Sequence, residues 1–274
     1  MKIVFKIEPS VDENVALHLL AEVGDEDISF LIFSRSPFKI EGFVSLGFDK
    51  NTVSKIYIDN VKKYIEELSF LKGTNFSTTT IFYNYTTSTL VPILYFLETE
   101  KQQILNQLFV PDKSRLCLQE TCKWQSIKNI YSVPAVVHNY FLELYPQSKF
   151  AHSTSYQLSN SHTTYLYCIL YNSSIKIILF KEGQLQIVQY FDYSSPEDVC
   201  YYLLNVAERF DITPSSLPIT LSGMVDVDSI IYYELYKYFL NISFATTEVK
   251  TAERLNELPT HFYHHLTSLA HAHH

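Results

Sequence analysis

Among the residue types that can bind metals or exchange protons, histidine forms the densest cluster in this sequence. Two of these residues, His261 and His265, would share one face of a helix at i, i+4 spacing, which can place two ligands on a zinc or nickel ion. No pattern such as H-E-x-x-H accompanies them. We therefore expect a solvated terminal helix with a frayed end and no metal site, with weak adventitious metal binding as the alternative. Six of the ten histidines lie in the last 14 residues: His261, His264, His265, His271, His273 and His274.

The cysteines and serines give little support for nucleophilic chemistry. Cys117 and Cys122 are separated by four residues, without a second pair at zinc spacing. Cys168 and Cys200 fall on a predicted core strand and a predicted helix, so we expect small buried hydrophobic residues there. No serine stands between glycines at a strand–turn–helix elbow, which disfavours a Ser-His-Asp hydrolase. The sequence predicts no catalytic residue and no cofactor.

Glycine is scarce, and this limits phosphate chemistry. The chain has 6 glycines in 274 residues, whereas an average usage of about 7% would give roughly 19. Phosphate-binding loops need glycine because the backbone must approach the ligand closely or adopt a positive φ. None of the patterns G-x-G-x-x-G, G-x-x-x-x-G-K-[ST] and G-x-S-x-G occurs. Their absence disfavours the common nucleotide-binding loops and the α/β-hydrolase elbow.

Composition and charge describe a folded protein that is poorly suited to binding nucleic acid. Hydrophobic residues make up 47% and charged residues 18% of the chain, which is typical of a globular protein. The net charge of −8 would repel a phosphate backbone. Lys6 and Glu8 interrupt the first apolar run, and no uncharged apolar stretch is long enough for a membrane span, so we expect neither a signal peptide nor membrane insertion. Four cysteines in a chain of this length favour a reducing, cytoplasmic location.

Hydrophobic periodicity predicts an ordered series of elements in the first half of the chain. Three short strands, at 16–23, 28–34 and 39–46, are rich in β-branched and aromatic residues. A helix follows over 51–72, with apolar positions at spacings of one, three and four. A strand is expected at 78–84. The remaining predictions are a helix at 98–108, strands at 115–120 and 126–132, and a helix from Pro134 to Tyr145.

The second half of the chain repeats this order of elements. The predicted elements are strands at 164–171, 174–181 and 184–193, a helix at 196–210, a strand at 218–221, a helix at 226–240, a strand at 242–245 and a terminal helix at 259–270. Three antiparallel strands, a crossover helix, a strand, a helix and a strand therefore occur twice, which is the order of the ribonuclease-H-like unit. We predict an α/β protein with two such lobes in tandem, residues 1–155 and 156–274. A single large α+β domain is the alternative.

Four short stretches of sequence carry a family resemblance. They are Thr-Leu-Val-Pro at 89–92, Ile-Tyr-Ser-Val-Pro at 130–134, Tyr-Pro-Gln-Ser-Lys-Phe-Ala-His at 145–152 and Ile-Thr-Leu-Ser-Gly at 219–223. In their order and spacing, over most of the chain, they resemble an uncharacterised bacterial family with an actin-like ATPase fold and no assigned activity. The type IV pilus actin-like scaffold proteins are a more distant architectural parallel. The resemblance implies two ribonuclease-H-like lobes with mixed five-stranded sheets.

The resemblance also implies where a nucleotide would bind. Active members of the superfamily carry Asp-x-Gly in the first hairpin to organise Mg²⁺, a second Asp-x-Gly in the other half, and a Gly-Gly turn that packs the adenosine. In this chain the first element is altered, the second lacks both acid and glycine, and the third keeps one glycine of two. The residues of the implied ligand cleft are Glu22, Gly24 and Asp25, then Asn172 and Ser173, then Gly223. We therefore expect no intact ATP hydrolysis.

Tyrosine is abundant on two of the predicted helices. Helices 196–210 and 226–240 carry more aromatic residues than one core-facing stripe needs. Either their hydroxyl groups reach solvent from a thick core, or part of each helix faces a partner. The candidate interface residues are Tyr201, Tyr232, Tyr233 and Tyr236.

These observations favour a non-catalytic cytoplasmic binding or scaffold protein. Its partner would be another protein or a second copy of the chain. The alternative is a weak or altered nucleotide-dependent enzyme, of ATPase or kinase type, that uses the cleft between the lobes. The sequence predicts neither the identity of the partner nor the process served.

Overall fold

The computed structural model describes residues 2–9, 15–49, 54–72, 76–123, 125–158 and 163–272. The chain forms two compact units. Unit 1 comprises Met1–Leu158, Val249–Glu257 and Leu269–His274, and unit 2 comprises Ser159–Glu248 and Leu258–Ser268. The predicted division after residue 155 assigned the whole C-terminal part to the second lobe, whereas two short C-terminal segments group with unit 1.

Most strands and helices lie close to their predicted positions. In chain order the strands are β1 (Lys2–Ile7), β2 (Leu17–Gly24), β3 (Asp27–Arg35), β4 (Phe38–Gly47), β5 (Thr78–Asn84), β6 (Ser88–Pro92), β7 (Arg115–Thr121), β8 (Ile127–Pro134), β9 (Lys149–His152), β10 (Tyr165–Leu170), β11 (Ser174–Lys181), β12 (Gln184–Asp192), β13 (Pro218–Gly223), β14 (Asn241–Phe244) and β15 (Lys250–Thr251). The helices are α1 (Ser54–Glu67), α2 (Lys101–Leu108), α3 (Ala135–Leu144), α4 (Ser153–Gln157), α5 (Pro196–Arg209), α6 (Ile230–Tyr236) and α7 (His264–Ala272). A 3-10 turn at Thr260–Phe262 precedes α7.

Unit 1 is built on a seven-stranded sheet. Its strand order is β1-β4-β3-β2-β5-β9, and β15 pairs in addition with β4. The strands β2, β3 and β4 are antiparallel neighbours, whereas β5 runs parallel to β2 and β9 runs parallel to β5. All eight residues of β2 are buried, including the polar His18 and Glu22, because this strand lies inside the sheet. Helix α1 packs Val61 and Ile65 onto the same core.

A second, smaller sheet is inserted into unit 1 between β5 and α3. It contains three antiparallel strands in the order β6-β8-β7. The strands predicted at 115–120 and 126–132 exist as β7 and β8, but they belong to this sheet and not to the main one. The last strand of the ribonuclease-H-like order in the main sheet is β9, which we did not predict from the sequence. Its four residues are too few to show a period, and it pairs with a strand that is distant in sequence.

Unit 2 contains one five-stranded sheet, in the order β12-β11-β10-β13-β14. The strands β10, β11 and β12 are antiparallel neighbours, and β13 and β14 run parallel to β10. The strands β4-β3-β2-β5-β9 of unit 1 have the same order and the same relative directions. The predicted duplication of a ribonuclease-H-like unit is therefore confirmed.

Local signals explain the hairpin and the crossover helix of unit 2. Glu182 and Gly183 between β11 and β12 both have positive φ, of 52° and 79°, as a tight hairpin turn requires. Ser195 caps α5, because its Oγ accepts a hydrogen bond from the backbone N of Asp198 at 3.3 Å. The Asp198 carboxylate accepts one in return from the N of Ser195 at 2.9 Å. Both signals are visible in the sequence.

Helix α6 is shorter than its predicted range of 226–240. The hydroxyl of Ser229 caps it by accepting a hydrogen bond from the N of Tyr232 at 3.2 Å. The residues before this cap form a turn in which the N of Ser229 donates to the carbonyl of Asp226 at 3.0 Å. The aromatic run therefore lies partly on the helix and partly on the segment that follows it.

Candidate functional site

The first implied phosphate element is the turn between β2 and β3 of unit 1. Asp25 is the carboxylate that reaches the surface there, and its Oδ2 accepts hydrogen bonds from the N and the Oγ1 of Thr86 at 3.2 and 3.1 Å. Glu22 lies two residues before the end of β2, where it is buried between Ser29 of β3 and Phe82 of β5. The two acids therefore differ in position, and only Asp25 could meet a ligand from solvent.

Gly24, at the end of β2, is held by side chains. The buried hydroxyl of Tyr57 donates a hydrogen bond to its carbonyl oxygen at 3.0 Å, and the Tyr57 ring stacks on Phe48 at 4.2 Å. A Cβ atom on Gly24 would lie 3.4 Å from the carbonyl of Asn84, which is ordinary van der Waals contact. The backbone at Gly24 is not left-handed, so its conformation does not require glycine. The glycine of a phosphate-binding turn differs in this respect.

A buried polar cluster lies at the carboxyl ends of β5 and β9. The Oγ of Ser153 donates to the Oδ1 of Asn84 at 2.8 Å, and the N of His152 donates to the Oε1 of Glu120 at 2.6 Å. Burial raises the pKa of Glu120 to about 7. The four residues 152–155 are nearly inaccessible to solvent. The sequence prediction missed this cluster, and its one visible signal is the polar run His-Ser-Thr-Ser after a short apolar stretch.

The second implied phosphate element is the turn between β10 and β11 of unit 2. It is a tight turn over Asn172 and Ser173, closed by a hydrogen bond from the N of Tyr171 to the carbonyl of Ser174 at 2.8 Å. The hydroxyl of Tyr193 contacts the carbonyls of Tyr171 and Asn172 at 2.9 and 3.3 Å. This turn is fixed by a tyrosine of the same chain and presents neither an acid nor a glycine.

Gly223 ends β13 and is the third implied element. It has a φ of +84°, and a Cβ atom there would lie 2.1 Å from the carbonyl oxygen of Leu170. The same carbonyl accepts a hydrogen bond from the N of Met224 at 2.8 Å. Close packing of β13 against β10 therefore explains why glycine occupies this position, without any contribution from a ligand.

The C-terminal segment covers the carboxyl ends of the strands of unit 2. The Oγ of Ser222 donates to the carbonyl of His261 at 2.9 Å, and the Nε2 of His261 lies 2.6 Å from the carbonyl of Val225. The His261 ring stacks on Phe244, the last residue of β14, at 4.3 Å. His265 packs edge-on against Tyr171, which follows β10, at 5.7 Å. The edge of the sheet where α/β proteins commonly bind ligands is thus occupied by residues 261–265.

The expectation of a solvated terminal helix is wrong for this part of the chain. His261 lies in a 3-10 turn and His265 in α7, and both are buried. The Nδ1 of His264 lies 3.1 Å from the hydroxyl of Tyr167, and burial together with the neighbouring histidines lowers its pKa to about 4. A neutral imidazole ring packs well against aromatic rings. The histidine-rich segment is therefore buried here although its sequence is polar. His271 stacks on Phe38 in unit 1, and His273 and His274 lie outside the described residues.

Metal and thiol chemistry have little geometric support in the part of the chain that the structure describes. Those residues contain no group of three or more His, Cys, Asp or Glu side chains that could hold a metal ion. All four cysteines are free; Cys122, Cys168 and Cys200 are buried and Cys117 is partly exposed. Burial raises the pKa of the Cys168 thiol to about 12, which makes a reactive thiolate unfavourable.

One pocket of unit 1 lies away from the implied ligand residues. It has a volume of about 420 Å³ and is lined by Arg35, Tyr145 and the residues at the amino ends of β5 and β9. Asp25 and Gly24 stand at the opposite, carboxyl edge of the same sheet. The pocket therefore does not belong to the predicted nucleotide site.

The tyrosines of α5 and α6 differ in exposure. Tyr201, Tyr233 and Tyr236 are 61%, 66% and 55% exposed. Tyr232 is partly buried, because its ring stacks on Phe244 at 5.4 Å. Three of the four candidate interface residues are thus accessible on unit 2.

Solved structures share the duplicated architecture. A Bacteroides thetaiotaomicron protein with an actin-like ATPase fold and unknown function is 18% identical, with a TM-score of 0.73 over 94% of this chain and 96% of that one. A chain of the PilM–PilN type IV pilus biogenesis complex is 12% identical, with a TM-score of 0.61 over 94% and 99%. The ethanolamine utilization protein EutJ from Carboxydothermus hydrogenoformans is 9% identical, with a TM-score of 0.51 over 97% and 92%. The chain therefore has the actin-like ATPase fold, as predicted.

Within that class the chain belongs to the family described as protein of unknown function DUF3822, whose profile matches residues 8–242. The resemblance to an uncharacterised family with this fold is thereby confirmed. A comparison of the sequence with curated proteins gave no match. In the part of the chain that the structure describes, no helix is long and apolar enough to cross a membrane.

Proposed function

We propose that this chain is a non-catalytic cytoplasmic scaffold that binds another protein. The observation that carries the proposal is the position of residues 261–265, which fill the carboxyl edge of the unit 2 sheet with histidine side chains. A nucleotide would need this edge, together with backbone amides that glycine turns expose. Gly223 is explained by strand packing, and four free cysteines fit a reducing compartment.

The exposed tyrosines supply the surface for a partner. Tyr233 and Tyr236 are one turn apart on the outer side of α6, and Ile230 is exposed one turn earlier. The Nζ of Lys237 lies 4.9 Å from the centre of the Tyr233 ring and is paired with Glu234 at 2.5 Å. Aromatic residues beside a paired charge are typical of interface cores and their rims. One similar structure is the PilM–PilN complex, so a protein-binding role has a precedent in this fold.

One observation favours the alternative of a nucleotide-dependent enzyme. Asp25 is an exposed carboxylate at the first hairpin, where an acid could organise Mg²⁺. Against this, its Oδ2 already binds Thr86, and Tyr57 holds the neighbouring carbonyl of Gly24.

Calorimetry with Mg-ATP separates the two functions. We expect no binding with a Kd of about 1 mM or tighter, which is the weak end of ordinary enzyme–substrate affinities. Binding in that range that is lost in Asp25→Ala, but kept in the exposed surface control Glu98→Ala, would establish the nucleotide-dependent alternative.

Proximity cross-linking in the native host tests the scaffold function directly. We expect one or a few specific protein adducts, and we expect Tyr233→Ala and Tyr236→Ala to reduce them. Tyr95→Ala is the matched control, because Tyr95 is a tyrosine of unit 1 that is 78% exposed. Adducts that are unchanged in the α6 variants would contradict a partner surface on this helix.

A further inference from the structure

Strand β12 forms one edge of the unit 2 sheet. It pairs with β11 through eight registered positions, and no strand among the described residues pairs with its other side. The backbone N of Tyr193 donates to Ser173 on the β11 side. Because backbone groups alternate sides along a strand, those of Val188 and Tyr190 point away from β11. The outer edge of β12 therefore presents donors and acceptors for another strand.

Most of β12 lacks the charged and proline residues that usually protect an edge strand. Residues 184–191 read Gln-Leu-Gln-Ile-Val-Gln-Tyr-Phe, with no charge and no proline. One bulge, at Gln186, interrupts the register with β11 and leaves 187–192 as a regular segment. A β-branched and aromatic edge whose one charge, Asp192, lies at its end favours strand pairing with a second chain.

The carbonyl of Tyr190, which faces away from β11, accepts a hydrogen bond from a side chain of its own strand. The donor is the Nε2 of Gln189, at 3.2 Å. This contact is made by an exposed amide to the adjoining backbone, so an incoming strand can replace it with a backbone hydrogen bond at little cost.

We infer that β12 pairs with β12 of a second copy of this chain, antiparallel and about a two-fold axis at Gln189. The register places Val188 opposite Tyr190 of the other copy and Ile187 opposite Phe191, so apolar residues meet apolar residues on both faces. Gln189 meets its own equivalent, and Asp192 lies opposite Gln186. No like charges are opposed in this register, which makes the edge complementary to itself. The two unit 2 sheets then form one sheet of ten strands.

Light scattering over a concentration series tests the inference. At about 100 µM, where a dimer with a micromolar Kd is largely formed, we expect a mass approaching twice that of one chain. Gln189→Lys should return the mass to that of a monomer, because it sets two ammonium groups opposite each other at the axis. Gln184→Lys is the control and should leave the dimer intact, since residue 184 lies outside the paired segment.

A charge swap distinguishes this register from other contacts. Gln189→Glu alone should also be monomeric, whereas an equimolar mixture of Gln189→Lys and Gln189→Glu should dimerise. Gln189→Cys should form a disulfide-linked dimer on mild oxidation and Gln184→Cys should not. A wild-type chain that stays monomeric, or a dimer that survives Gln189→Lys, would overturn the inference. Either outcome leaves the proposed scaffold function to be decided by its own nucleotide and partner tests.

Discussion

The carbonyl oxygen of Leu170 lies 2.1 Å from the point that a Cβ atom on Gly223 would occupy. Leu170 and Gly223 are also registered partners at the ends of the parallel strands β10 and β13. A glycine that a nucleotide-binding protein would use to approach a ligand therefore serves here to bring two strands together.

Gly223→Ala is expected to destabilise unit 2 severely. The new methyl group would overlap backbone atoms at a positive φ, so we expect a loss of more than about 3 kcal/mol in the free energy of unfolding. Urea denaturation measures this loss. Gly24→Ala is the matched control and should cost no more than about 1 kcal/mol, since its methyl group meets only ordinary contacts. Equal losses in the two variants would contradict the packing explanation.

Acid should weaken the packing of the C-terminal segment through His264. Its pKa in the folded chain is about 4, below the ordinary 6.5, so the unfolded chain binds the proton first. The contribution of neutral His264 to the free energy of unfolding is fully present above pH 6.5. It falls as the pH drops toward 4, by about 2 to 3 kcal/mol in total. Denaturation of wild type and His264→Gln at pH 7.5 and pH 4.5 measures the effect. The wild type should lose more stability than the variant, and equal losses would argue against a buried neutral histidine.

Glu120 should produce the opposite pH dependence in unit 1. Its pKa of about 7 lies above the ordinary 4.5, so the folded chain retains the proton to higher pH. The contribution of Glu120 to the free energy of unfolding is fully present below pH 4.5. It is lost as the pH rises through 7, and the loss is about 3 kcal/mol.

Glu120→Gln keeps an oxygen that can accept the hydrogen bond from the N of His152 and removes the titration. We therefore expect the variant to be more stable than wild type at pH 8 and similar to it at pH 4.5. Hydrogen exchange of peptides from unit 1 at both pH values checks this. A variant that is less stable than wild type at pH 8 would contradict the prediction.

Tyr57→Phe should loosen the first hairpin. The substitution removes the donor to the buried carbonyl of Gly24 and leaves the ring in place, so we expect a loss of about 1 to 2 kcal/mol in the free energy of unfolding. Tyr201→Phe, at an exposed tyrosine, is the control and should have little effect. A loss as small as that of the control would show that water replaces the tyrosine at this turn.

Elements with a strong local period could be predicted from the sequence. The hairpins of β2 to β4 and of β10 to β12, and helix α5 with its Ser195 cap, follow from alternation, turn residues and capping alone. Strand β9 and the short β15 depend on pairing with residues that are distant in sequence, so no local pattern indicates them. For the candidate site, the altered glycine elements are visible in the sequence, and their role as a ligand site stays a prediction. The sequence does not indicate that residues 261–265 cover the carboxyl ends of the unit 2 strands, because the burial of His261 and His265 depends on Phe244 and Tyr171.

The division of the chain into units has a consequence for its synthesis on the ribosome. Unit 1 includes Val249–Glu257, whose strand β15 pairs with β4, and it includes Leu269–His274. These residues are translated after every strand of the unit 2 sheet. The pairing of β15 with β4 can therefore form only after every strand of the unit 2 sheet has been translated, and unit 2 in turn is completed by Leu258–Ser268, which follow β15.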